Sequence, residues 1–135
     1  MRPWLAGTGA VLAGFLIVVA GSTAMDQGMR AAGVFPAPPQ PMTDPLFALA
    51  AAYRAVFTIA GGYVTTRLAP DLPMRHAWIL AGIGLVAGLA GLAAYLAIGG
   101  AELGPVWYAV AIPIEAIPCV WLGARLALRH RTAGI

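Results

Sequence analysis

Four apolar stretches, at residues 4–25, 46–68, 76–98 and 106–128, take up most of this chain. Each is as long as the roughly 20 residues of helix that cross the hydrocarbon core of a bilayer. In that solvent every backbone N–H and C=O must be satisfied internally, and a single stretch achieves this only as a helix. The residues left over are too few for a separate soluble domain. The expected fold is therefore all-α and integral to the membrane: four transmembrane helices in one antiparallel bundle over residues 1–135, with a Pro-rich outer loop at 26–45. Composition agrees, since 10% of residues are charged against about 25% in a soluble domain. Arg2, the apolar run and Ala20-Gly21-Ser22-Thr23-Ala24 have the outline of a cleaved leader. That run exceeds the usual apolar core of about 7–15 residues, so the first stretch reads as a retained helix.

The basic residues are all arginine, and their placement gives an orientation. Arg2, Arg67, Arg75, Arg125, Arg129 and Arg131 fall on one side of a four-span layout. Arg30 falls on the other, and Arg54 lies within a span. The excess of arginine marks the cytoplasmic side. Both termini and the 67–75 turn are then cytoplasmic, and loops 26–45 and 99–105 face outward. An alanine-rich chain with arginine as its sole long cation suggests a bacterial inner-membrane protein. Arginines spread over helix ends form no stripe for nucleic acid. The expected partners are the lipid bilayer and either further copies of the chain or a larger membrane complex.

Two charges interrupt the apolar spans, Arg54 in the second and Glu115 in the fourth, between Pro113 and Pro118. A charge at bilayer depth is costly and marks either a pair or a working site. With a rise of about 1.5 Å per residue, Arg54 lies roughly 12 Å in from residue 46 and Glu115 roughly 13–14 Å in from residue 106. The similar depth makes an Arg54–Glu115 pair feasible, with bidentate guanidinium–carboxylate geometry. Three readings stay open. The pair is an internal strut that fixes helix register. Alternatively, Glu115 exchanges protons or binds a cationic substrate, with Arg54 and neighbouring Tyr53 in the same candidate binding site. In the third, both charges face a partner protein or lipid headgroups.

Other residues point to no chemistry. His76 fits the headgroup level, and His130 in Arg129-His130-Arg131 fits a basic anchor on anionic lipid. Asp26 and Arg30, four apart, fit a helix-end ion pair. Cys119 has no partner for an internal disulfide and reads as a small buried packing residue. Thr43-Asp44-Pro45 offers a helix start with a side-chain cap. Rows of small residues in the third span, Ala81/Gly84/Gly88 and Ala87/Gly91, suit close helix approach. They suggest that this span packs centrally or also meets another copy. No metal spacing, phosphate loop or nucleophile–base arrangement is present in the sequence, so neither a cofactor nor an enzymatic activity is expected.

The stretch Tyr53-Arg54-Ala-Val-Phe-Thr-Ile-Ala-Gly-Gly-Tyr-Val-Thr-Thr-Arg-Leu-Ala-Pro70, followed by Pro73-Met-Arg-His76, resembles a family of short four-helix bacterial inner-membrane proteins. In outline the resemblance extends to Gly33-Val-Phe-Pro36, Trp107-Tyr108 and Pro118-Cys119-Val-Trp121. It implies the fold and the location, and no chemistry. Small multidrug resistance transporters are also four-helix proteins of similar length, but their working glutamate is in the first helix. Here Glu115 is in the fourth, and that motif does not carry over. The expected function is that of a non-enzymatic, structural or accessory membrane protein. The alternative is a small oligomeric proton-coupled transporter that uses Glu115.

Overall fold

A computed structural model describes residues 2–37, 40–98 and 104–134. Among them four helices follow one another: α1 Pro3–Ala31, α2 Asp44–Leu68, α3 Pro73–Ile98 and α4 Val106–Thr132. Each is long and apolar enough to cross a membrane. Glu102 and most of loop 99–105 lie outside the described residues.

The helix ends follow from local chemistry. Pro3 and Pro45 stand in the first turns of α1 and α2, where a missing N–H costs nothing. Thr43 is the N-cap of α2, but its hydroxyl makes no capping bond. Its carbonyl instead accepts from the N–H groups of Leu46 and Phe47, both at 3.1 Å. The largest departure from expectation is at the end of α1, which runs to Ala31 and so carries Asp26 inside the helix. Nothing in Asp26-Gln-Gly-Met-Arg breaks a helix. The stop comes at Gly33, which takes φ +77°, a conformation natural to glycine. The N–H groups of Val34 and Phe35 then close onto the Met29 carbonyl at 3.0 and 3.2 Å. Phe35 is thereby buried against Met25, Met29 and Tyr53, which anchors the start of the Pro-rich segment.

Packing is organised by α2. It lies against α1 and makes its most extensive interface with α4, while α3 packs mainly on α4. The expectation of a central third span is thus corrected: α2 holds that place. The reason is glycine on facing surfaces. A Cβ at Gly123 would strike the Ile59 carbonyl and lie 2.8 Å from the Tyr63 nitrogen. One at Gly62 would lie 2.9 Å from the Val120 Cα. Gly14 and Gly61 face each other across α1 and α2, each with its would-be Cβ within 2.7 Å of the other's carbonyl oxygen. Of the α3 rows, Ala81 and Gly88 are buried, and Gly88 rests on Pro113 of α4. Ala87 and Gly91 remain exposed. Without lipid between them, helices gain dispersion contacts from such close approach, which stands in for the hydrophobic drive they have in water.

Threonines tie the same surfaces. Thr65 and Thr66 are fully buried. Thr65 donates across to the Ala10 carbonyl at 3.1 Å and Thr66 back to the Gly62 carbonyl at 2.8 Å. The basic tail does not hang free. α4 continues to Thr132, the His130 ring pairs with the Tyr63 hydroxyl at 2.7 Å, and Arg131 donates to the Thr66 carbonyl at 3.0 Å. His130 is thus a packing residue against α2, where the sequence suggested a lipid anchor. Cys119 is only half-buried.

Gly123→Leu should lower the melting temperature sharply in detergent, since overpacking a tight contact costs about 1–3 kcal/mol. Gly82→Ala, where an added Cβ meets nothing within 4 Å, should be neutral or slightly stabilising because alanine favours helix. Equal melting temperatures for both variants would refute the close-packed α2–α4 seam.

Candidate functional site

The site is built on an ion pair that the sequence did not indicate. Asp26 on α1 accepts from two adjacent α2 side chains. The Tyr53 hydroxyl donates to its Oδ1, and Arg54 Nη2 donates to its Oδ2 at 2.5 Å. Arg54 and Asp26 keep 31% and 27% of their side-chain surface exposed, whereas Tyr53 is buried under Phe35. Both expected ion pairs are therefore replaced. Arg54 does not contact Glu115, because α1 presents a carboxylate at the same level. Asp26 does not pair with Arg30, because its face of α1 turns toward α2. Tyr53 and Arg54 differ by about 100° around the helix, yet their long side chains converge on one carboxylate.

Beside this knot lies a cavity of about 440 Å³. Phe15, Val18, Leu80 and Val120 supply apolar wall, and Gly84, Ala87, Gly88 and Gly91 form the α3 side. Those small side chains are the physical origin of the space. The polar groups that reach it are Ser22, Arg54, Thr58, Tyr95, Tyr108 and Glu115, and the Tyr95 hydroxyl donates to the Gly104 carbonyl at 2.9 Å. The Thr58 hydroxyl is engaged, donating to the Arg54 carbonyl at 2.7 Å. Two groups are not. Ser22 is 3% exposed and its Oγ has no hydrogen-bond partner, and Arg54 Nε is likewise buried and unpaired. Buried polar atoms without partners are rare and call for an explanation.

Glu115 reaches the cavity from α4. It lies close enough to Arg54 to interact electrostatically, but among the described residues it makes no ion pair within 4 Å, the pair being Arg54–Asp26. Pro113, two residues earlier, has no N–H for the carbonyl of Ala109, and Ala109 lines the same cavity. The structure thus gathers Arg54 and Glu115 around one space, while Tyr53, bonded to Asp26, does not line it. The sequence does not place Ser22 and Tyr108 at the site, and it pairs Asp26 with Arg30. The usable signal was the uninterrupted helix-compatible run to Gly33, which puts Ser22 and Asp26 four apart on one face. His76 is elsewhere, on a second cavity of about 670 Å³ near Trp4 and Arg75, with its Nδ1 3.2 Å from the Leu72 carbonyl. No group of three or more His, Cys, Asp or Glu with metal-binding placement occurs among the described residues.

Comparison with protein-family models, curated proteins and solved structures gave no match.

Removing one partner of the knot strands the others. Asp26→Ala and Arg54→Ala should each cost about 1–3 kcal/mol, the penalty of an unsatisfied buried polar group, read as lowered melting temperatures in detergent. In a double-mutant cycle, Asp26→Leu with Arg54→Leu should lose less than the two single changes added together. Strict additivity would show that the pair carries no coupling.

Proposed function

We propose that this chain is a non-enzymatic, multi-pass protein of the bacterial inner membrane, structural or accessory in role. The observation that carries this reading is the Asp26–Tyr53–Arg54 knot. Its carboxylate, phenol and guanidinium are committed largely to one another, which suits a strut between helices better than a reactive centre. The bundle is antiparallel between consecutive helices, a reading supported by the order of contacts. Asp26 meets Tyr53 and Arg54 while Ala10 meets Thr65, and Gly88 meets Pro113 while Gly84 meets Ala116. Both termini are cytoplasmic, as the arginine distribution favours. The resemblance of residues 53–76 to short four-helix bacterial membrane proteins supports the same location.

One observation favours a second reading, a small proton-coupled transporter. Glu115 stands in a cavity with no ion-pair partner of its own among the described residues. Four helices are few for a complete pathway, so this reading requires an assembly of several copies.

Topology is tested by cysteine scanning on a Cys119→Ser background. A cysteine at position 36 should label with an impermeant maleimide added to intact spheroplasts. One at position 71 should label only after permeabilisation. The reverse pattern would overturn the orientation.

A further inference from the structure

The cavity beside Glu115 has features that a strut does not need. Its walls are mostly apolar, yet Ser22 Oγ is buried beside it without a partner. Charge arithmetic narrows the ligand. Asp26 and Arg54 neutralise each other, so an ionised Glu115 gives the cavity one surplus negative charge. The Ser22 hydroxyl is an acceptor on the same cavity.

We propose that this cavity is a binding site for a small apolar molecule bearing a primary ammonium group. The ammonium donates to the Glu115 carboxylate, with Ser22 Oγ as a further acceptor, and the apolar body lies along Phe15, Leu80 and the small residues of α3. An anionic ligand would meet Glu115 unpaired. A purely apolar one would leave Ser22 and Glu115 without compensation, which is costly in a low-dielectric setting. A volume of about 440 Å³ falls within the usual range for small-molecule pockets. The inference rests on the same cavity as the transport reading, but it requires no movement of the ligand across the membrane.

The test is isothermal titration calorimetry on the protein in nanodiscs, with empty nanodiscs as the blank. The probe is 4-phenylbutylammonium, compared with 4-phenylbutanol and 4-phenylbutanoate. Saturable binding of the ammonium compound alone is expected. Glu115→Gln should weaken it about ten-fold or more, the value of a charge-assisted hydrogen bond, and Ser22→Ala by a smaller factor. Ala87→Phe fills the cavity from an exposed α3 position; it should abolish binding at an unchanged melting temperature, which keeps the test decisive if Glu115→Gln misfolds. Equal binding of all three probes, no saturable binding, or full affinity in Ala87→Phe would overturn the site. Proton release on binding is measured in the same titrations. Its absence would defeat the proton-coupled reading and leave the binding site standing.

Discussion

A single carboxylate holds α1 against α2 at the end of the bundle where Asp26 lies. Asp26 accepts from Tyr53 and Arg54 at once, and so fixes the rotation and height of α1 against α2. A guanidinium cannot be left unpaired among apolar helices, because an isolated buried charge loses its hydration with nothing in return. The bundle therefore has to bring an acid to Arg54, and α1 does so by staying helical to Ala31. The arrangement also has a kinetic aspect for assembly. α1 and α2 are consecutive, so the pair that satisfies Arg54 is available before α3 and α4 are in place.

The other half of the architecture depends on the absence of side chains. Gly62 and Gly123 let α2 and α4 touch backbone to backbone, and Gly14 and Gly61 do the same for α1 and α2. Hydroxyls at Thr65 and Thr66 then reach carbonyls that larger separations would put out of range. Small residues have the opposite consequence on α3. Where Gly88 meets Pro113 they close the packing, and at Gly91, where an added Cβ would meet nothing, and at Ala87 they line a cavity. The same residue type thus makes contact or void according to what stands opposite.

Glu115 shows how satisfying one charge exposes another. Once Arg54 is committed to Asp26, the acid on α4 retains a long-range interaction with the guanidinium but no contact. The two unpaired atoms at Ser22 and Arg54 lie beside the same space.

The sequence by itself determined the number of helices and nearly all their limits. Twenty-residue apolar runs bounded by Pro45, Pro70, Pro73 and Pro105 allow little else, because apolar length and missing N–H groups act locally. It also determined that Arg54 needs a partner. Which partner was a tertiary decision. Arg54 and Glu115 match in depth, but depth does not say which faces of two helices meet, and Asp26 read as a loop residue because it lies just past the apolar run. Likewise the glycines of α2 and α4 are visible in the chain, but their value comes from facing one another. The cavity exists only as a gap between all four helices, so no local pattern could have announced it.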